Sequence, residues 1–416
     1  MPKSDNVMII GGGIGGLVTA LNLHKAGFSV RVFESVENIR ELGVGINLLP
    51  HAVRVLTHLG LSDELAKEGL PTSELIYCNK FGQKIWQEPR GKAAGYKWPQ
   101  YAVHRGRLQM LLLRITKQRL GEDAIKTGHH LTSFHADENG VTAHFENRKT
   151  GRQIGSYRAD CMIGADGIHS AVRRSFYPDE GPPKFSGNIM WRGLSKCPSF
   201  LTGRSMVMIG HLKQKFVAYP LRPQQENKGE ALINWIAELR INSDVPPKRD
   251  WNREANKADF APSFSNWRFD WLDVPKIINA ASAVYEFPMT DRDPLPRWSF
   301  GRVTLLGDAA HPMYPIGSNG ASQAMLDAEA LTKALLNQPD VKTAFRQYEA
   351  ARLETTASIV ESNRKLGPER AMQIVEDRAP NGFTDINEVI SRKELEAISN
   401  KYKQLAGFDK ETLNAR

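Results

Sequence analysis

The chain of 416 residues is predicted to be an α/β protein, on three observations. A short apolar run at 7–10 enters a glycine cluster, and an apolar-periodic stretch and a second β-branched run follow it, the pattern of a strand–helix–strand unit. From about 183 to 290 the texture changes to short strand-like runs between turns rich in Pro and Gly. Beyond about Val341 the chain is polar and mostly helical. The order α/β, then β, then α/β, then helix predicts one doubly wound domain assembled from separated segments. An inserted, mostly antiparallel β domain and a C-terminal helical region complete it.

The elements follow in order. Residues 7–10 read as a buried strand of a parallel sheet, and Leu17, Ala20, Leu21 and Leu23 give 15–26 a helical face that Gly27 ends. The run 29–33 is the second strand, and helices are predicted over 52–59 and 107–119. Between them 75–101 carries Trp86, Tyr96, Trp98 and Tyr101 among Gly and Pro, which favours strands and turns. A strand over 159–165 enters a Gly-Ala-Asp-Gly turn, and antiparallel strands are expected at 188–194, 215–221, 231–239 and 283–289. Residues 302–306 form a last buried strand, and a loop leads from it into a long helix beginning near Asn319.

Lys and Arg outnumber Asp and Glu by 55 to 46, leaving +9. The segment 379–416 holds six basic and six acidic side chains, so the excess lies in the body and there is no basic arm. With no finger or RNP-like pattern, nucleic acid is not an expected partner, and the charge suits anionic small molecules. Three dispersed cysteines, Cys78, Cys161 and Cys197, suggest neither disulfides nor zinc, and a cytoplasmic protein is expected. No run reaches the roughly 18 apolar residues of a membrane span, so no membrane is expected.

Gly11-Gly12-Gly13-Ile14-Gly15-Gly16 satisfies G-x-G-x-x-G between a strand and a helix. Gly11 makes the tight turn, Gly13 admits a pyrophosphate against the backbone, and Gly16 lets helix and strand pack, which is the Rossmann arrangement. The helix N-terminus offers oriented N–H groups to phosphate. Glu34, 23 residues beyond Gly11, is placed to bind ribose hydroxyls, favouring NAD or FAD over NADP at this site. Asp166 lies in Gly164-Ala165-Asp166-Gly167, a turn anchored by the Ser170 and Arg173 that follow; alone it reads as a capped turn. Asp308, in Gly307-Asp308-Ala309-Ala310-His311-Pro312, follows a buried strand where Pro315, Gly317, Asn319 and Gly320 hold a loop open before a helix. That geometry suits a polyol and an electron-rich ring, with the helix N-terminus facing negative charge. His311 reads as structural.

These three motifs in this order resemble the single-component FAD-dependent aromatic hydroxylases, and within them the phenazine hydroxylases. Supporting stretches are Leu42-Gly43-Val44-Gly45, Gln100-Tyr101-Ala102-Val103-His104-Arg105-Gly106, Met190-Trp191-Arg192-Gly193, Asp291-Arg292-Asp293-Pro294 and Asn319-Gly320-Ala321-Ser322. The resemblance covers the chain to about residue 365. It implies bound FAD, transient NADH or NADPH, and O₂ as co-substrate in a monooxygenase acting through a flavin C4a-hydroperoxide. Gly11, Gly13, Gly16 and Glu34 would hold the adenosine diphosphate, Arg105 would reach FAD, and Asp308 would bind the ribitol. Val44 and Gly45 would border one face of the isoalloxazine, while Gly317, Gly320 and Ala321 would contact its edge. Asp166 would lie near both FAD and NAD(P)H. The expected division is FAD-binding segments 1–75, 102–182 and 291–340, substrate segments 76–101 and 183–290, and helices over 341–416.

No catalytic side chain and no metal are expected, since the flavin carries the chemistry and the protein orients substrate and excludes water. Trp191, Tyr219 and Trp235, with Pro315 and Met289, are the expected substrate slot, and Arg192, Lys215 or Arg222 are available for a carboxylate. Each Trp taken singly reads better as core. Asn319 and Ser322 depart from many members of the resembled family and Pro315 from its salicylate and hydroxybenzoate hydroxylases, pointing to an aromatic or heteroaromatic acid other than a simple phenolic one. Ring position, accompanying decarboxylation, the nucleotide preferred, and a monomer or homodimer are left open. A flavin reductase or dehydrogenase on the same fold is the alternative.

Overall fold

The computed structural model describes residues 6–222, 230–241, 243, 245 and 253–416. The first unit is β1 (Asn6–Ile10), α1 (Ile14–Lys25) and β2 (Ser29–Phe33), the two strands parallel in register from Asn6 opposite Ser29 to Ile10 opposite Phe33. The chain then runs through β3 (Gly45–Leu48), α2 (Pro50–His58), β4 (Glu74–Cys78), β5 (Lys84–Pro89) and β6 (Tyr101–His104) into α3 (Arg105–Leu120) and β7 (Ile125–Lys126). The expected strand over 159–165 is two strands. Gln153–Ala159 ends a three-stranded meander with His130–Ala136 and Val141–Glu146, and β8 (Cys161–Gly164) joins the parallel sheet.

The inserted strands are β9 (Lys184–Pro198), β10 (Ser205–His211), β11 (Gln214–Leu221), β12 (Glu230–Arg240) and β13 (Ala281–Asp291). The chain returns through β14 (Ser299–Phe300) and β15 (Val303–Leu305) to α4 (Gly320–Asn337), α5 (Val341–Arg364) and, near the end, α6 (Arg392–Leu405). The first sheet has six strands in the order β14-β15-β8-β1-β2-β7, parallel except at β14. At its centre, 7–10 of β1 and 161–163 of β8 are apolar and buried because both faces are covered. The second sheet has eight strands, Arg253–Glu254 then β13-β9-β12-β11-β10-β4-β5, antiparallel except where β10 meets β4. β10 is an element that the sequence reading passed over.

Period-2 alternation gives the second sheet two distinct faces. Trp191, Trp235, Phe216 and Ile209 point to one side, where Phe260, Phe264, Trp267 and Ile278 cover them in a closed core. On the other side Arg192, Ile236, Val217, Met208 and Tyr77 lie opposite one another across five strands. That second face looks toward the loop before α4. All three cysteines are buried without disulfides, and among the described residues no helix is long and apolar enough to cross a membrane.

His51, in the first turn of α2, is fully buried. Burial first, then the Arg352 and Arg54 charges, push its imidazole down to about 3. The folded state therefore holds a neutral ring that the unfolded chain protonates near its ordinary value of 6.5. With the folded value depressed, stability is complete above that pH and falls as pH drops toward 3, by about 2 kcal/mol at pH 5. Thermal melts from pH 7.5 to 4.5 should show this loss, and His51→Leu should flatten it; an unchanged slope in the variant would assign the acid sensitivity elsewhere.

Candidate active site

The glycine turn closes the N-terminal end of α1. Gly11 has φ +108°, and a Cβ there would sit 2.4 Å from the Ala165 carbonyl oxygen; one on Gly16 would sit 2.0 Å from the Gly11 carbonyl oxygen. Both positions are packed shut by backbone, whereas a Cβ on Gly13 would meet nothing within 4 Å. The turn thus presents an open face at its second glycine, Gly13, which is the N-cap of α1. At the end of β2, Glu34 turns back to this loop: its Oε2 accepts from the Gly12 N–H at 2.8 Å and its Oε1 from the Val36 N–H at 2.9 Å.

Beyond it a cavity of about 220 Å³ opens between β3, the second sheet and the loop before α4. Asp308, Pro315, Ser318, Gly320 and Ala321 form one wall, Gly45 and Asn47 another, and Arg192, Met208, Val217, Tyr219 and Ile236 the third. Asp308 reaches solvent through the cavity mouth yet is ringed by protein, and this desolvation raises its carboxyl above the ordinary range against the opposing His311 and Arg105 charges. A Cβ on Gly320, the first residue of α4, would lie 3.9 Å from Asp308 Oδ1, so the carboxylate faces a helix N-terminus. Arg105, exposed at the start of α3, has no carboxylate within 4 Å among the described residues. Its N–H donates to the Val44 carbonyl at 2.9 Å, and Val44 is buried.

β3 is bolted to the second sheet through Gly45. The Gly45 N–H donates to Asn234 Oδ1 at 2.6 Å, and the Gly45 carbonyl accepts from Arg192 Nη2 at 2.8 Å. A Cβ on Gly45 would meet Asn234 Cγ at 2.7 Å, so only glycine lets the strands approach this closely. Tyr219 lies against Arg192 and Asn234, and burial pushes its phenol up to about 12, which keeps it a hydroxyl donor at neutral pH. Asp166 anchors the second motif: it accepts from Ser170 Oγ at 2.5 Å and from the Ala171 N–H at 2.7 Å, and burial raises its carboxyl. Arg173 carries the connection onward, donating to the Ala309 and Ala310 carbonyls at 3.1 and 2.9 Å. The Asp166 turn is thereby joined to the Asp308 loop.

A family model described as "FAD binding domain" matches residues 4–363. The chain belongs to this flavoprotein family. It is 45% identical over 362 residues to the phenazine 1,6-dicarboxylic acid hydroxylase PhzS of Lysobacter antibioticus, covering 86% of this chain and 89% of that one. It is 31% identical over 381 residues to the 3-hydroxybenzoate 6-hydroxylase of Polaromonas naphthalenivorans, covering 88% of each. Among solved structures, Klebsiella pneumoniae HpxO complexed with FAD and uric acid superposes with a TM-score of 0.75 at 23% identity, over 98% of this chain and 97% of that one. The fold and cofactor expectations agree with these findings: this is an FAD-dependent monooxygenase of the aromatic hydroxylase family.

The residues present fit FAD. The open face at Gly13 would admit a diphosphate, and the raised carboxyl of Asp308 stands beside a helix N-terminus on the cavity wall, where a polyol would hydrogen-bond. Of the residues singled out from sequence, Gly45, Asp308, Pro315, Gly320, Ala321 and Tyr219 line one cavity. Trp191 and Trp235 do not, and the expectation for them is corrected. Tyr219 pairs with Asn234, so alternation turns Trp235 away, and likewise Trp191 away from Arg192. Trp191 stacks on Phe260 at 4.9 Å and Trp235 Nε1 donates to Ser195 Oγ at 2.9 Å, both in the closed core. The Trp235 ring also explains Gly193, where a Cβ would meet it at 2.4 Å. Arg222 lies apart, with Nε 3.3 Å from the Gly69 carbonyl.

Sequence reasoning missed Tyr402 of α6. Its hydroxyl accepts from Asn319 Nδ2 at 3.0 Å and reaches both the Ile316 carbonyl at 3.1 Å and Asn363 Oδ1 at 2.9 Å, one proton serving either acceptor. Gly317, at φ +70°, turns its open side to this phenol rather than to the cavity: a Cβ there would lie 2.2 Å from the Tyr402 oxygen. The next residue, Ser318, is held at φ +57° on the cavity wall. A segment outside the matched family span therefore fixes the loop that walls the cavity. Tyr402→Phe should weaken FAD binding about tenfold, the worth of one buried hydrogen bond. Gly317→Ala should weaken it further. Titration of the apoprotein followed by flavin fluorescence checks both, and wild-type affinity in both variants would refute the latch.

Proposed function

We propose that this chain hydroxylates a carboxylated nitrogen heteroaromatic of the phenazine type, consuming O₂ and NADH or NADPH. The observation that carries the reading is Arg192. It lines the cavity with no carboxylate within 4 Å among the described residues, and burial lowers its pKa, so its charge is incompletely compensated. An anionic substrate group supplies the missing partner. Around it Met206, Met208, Val217 and Ile236 give a flat apolar surface suited to a fused ring. The 45% identity to the Lysobacter phenazine 1,6-dicarboxylic acid hydroxylase supports the same class.

In this reading Gly11, Gly13, Gly16 and Glu34 hold the adenosine diphosphate, Arg105 and Asp308 the middle of FAD, and Gly45, Gly320 and Ala321 border the ring. Val44 supports that border from beneath, and Asp166 acts by fixing the Asp308 loop. FAD supplies, when bound, the electron transfer and oxygen activation that no side chain here provides. Arg192 and Tyr219 orient the substrate by its carboxylate and a ring oxygen or nitrogen, Pro315 sets its distance from the flavin edge, and the methionines exclude water.

With FAD-loaded protein, phenazine-1,6-dicarboxylic acid should accelerate NADH or NADPH oxidation and ¹⁸O from ¹⁸O₂ should appear in the product by mass spectrometry. Turnover only with an artificial acceptor under anaerobic conditions would establish the reductase alternative instead. Arg192→Gln should lower kcat/KM for the dicarboxylate ten- to a hundredfold relative to neutral phenazine, the range of a charge-assisted hydrogen bond. Equal losses on both would remove Arg192 from carboxylate recognition.

A further inference from the structure

A second cavity, of about 400 Å³, lies on the far side of the inner one. Glu238 and Glu369 line both. Between them stands Lys215, whose ammonium is 2.9 Å from Glu238 Oε2 and also bonded to Glu369 Oε2. All three side chains are buried, so the two cavities are divided by one cation and two carboxylates. An ordinary buried wall would be apolar, since each buried ion gives up its hydration. This wall has a redundant contact: Lys215 has two carboxylate partners, so the loss of either contact leaves it paired with the other. Opening therefore leaves no unpaired buried cation, the state that makes breaking a single buried pair so costly. Burial also raises the Glu238 carboxyl, which eases its release.

The outer cavity has the chemistry of the same ligand. Met289, Tyr314, Ile316 and Met372 give it an apolar floor. Of its cations, Lys184 and Arg364 are committed to Asp293 and Asp291, and His211 faces Glu376 at 3.8 Å. Arg240, exposed at the end of β12, has only a 3.5 Å contact to the Ser186 carbonyl and no carboxylate within 4 Å among the described residues.

We propose that this outer cavity is a second binding site for the carboxylated aromatic, which docks its carboxylate on Arg240 and passes to the inner cavity across the Lys215–Glu238–Glu369 partition. The inference rests on the substrate class proposed above. It assigns Arg240 to capture and Arg192 to orientation at the reacting position, two cations for two stations of one anion.

The test is calorimetric and spectroscopic titration of FAD-loaded protein with phenazine-1,6-dicarboxylic acid, without reductant. Two equivalents should bind, one perturbing the visible flavin spectrum and one silent. Arg240→Gln should weaken the silent equivalent at least tenfold and keep the other, and Met372→Trp, which fills the outer cavity, should abolish the silent one. A single equivalent in the wild type, or a silent equivalent untouched in Arg240→Gln, overturns the proposal. Because Arg240 is exposed, its variant folds even where Met372→Trp does not. Two equivalents without oxygen transfer would keep the site and reject the hydroxylation, whereas oxygen transfer with one equivalent would do the reverse.

Discussion

The backbone of Gly45 is where the two sheets of this protein become one enzyme. Neither sheet contains it: β3 pairs with β6 in a small sheet of its own, and its amide and carbonyl go to Asn234 and Arg192 of the insertion. A strand this short, four residues, has little pairing energy of its own, and two side-chain bonds worth about 1 kcal/mol each therefore decide where it sits. Any movement of the insertion relative to the nucleotide turn shifts the Gly45 wall of the cavity. The absence of a Cβ is the condition for this closeness, and the alternation of β9 and β12 is what delivers Arg192 and Asn234 to the same side.

A second buried network holds the opposite wall. Asp327 of α4 accepts from the Gly307 N–H at 3.0 Å, from His311 Nε2 at 2.5 Å and from Arg352 Nε at 2.8 Å. Burial would raise this carboxyl, yet His311 and Arg352 hold it at about 2, so it stays charged throughout the working range. Arg352 also reaches Gln323, which donates to the Ala406 carbonyl beside α6. The Asp308 loop is thus fixed from below by an ionised core and from behind by the chain's last helices. Such a network is costly unless every member is satisfied. Here the cost is met by fixing the position of a loop that carries little apolar packing of its own.

What the sequence made legible follows from which forces act locally. The glycine turn, the strand–helix–strand unit and the Asp308 loop could be read because their residues meet neighbours a few positions away: Gly16 needs Gly11, and Glu34 sits one strand on. The Asp166 turn was readable for the same reason, and its plain role as a helix cap is what the geometry shows. Trp191 and Trp235 were misplaced because aromatic bulk was given weight over strand parity. Arg192 and Trp191 are adjacent in a strand and cannot share a face, and the register that pairs Tyr219 with Asn234 settles which side is which. That register depends on hairpin geometry across 183–290, which single runs do not specify. Tyr402 carried no local signal at all: an aromatic on an amphipathic helix looks like packing until the strand or loop it meets, 83 residues away, is known.

The strain at Ser318 shows how these pieces combine. A serine at φ +57° is disfavoured by roughly 1 kcal/mol relative to the right-handed region, and Gly317 before it also has positive φ. Two successive left-handed residues turn the chain so that consecutive groups face opposite ways, Gly317 toward Tyr402 and Ser318 into the cavity. An unsupported loop would relax, because nothing within 316–318 offsets the cost. The support comes from three buried polar side chains: Asn319 at the N-cap of α4, Asn363 of α5 and Tyr402 of α6. Each is satisfied only while the loop keeps this shape, and the loop keeps it only while all three are present. The geometry of this cavity wall is therefore a cooperative property of the loop before α4 and the C-terminal helices, even though only the loop lines the cavity beside Asp308.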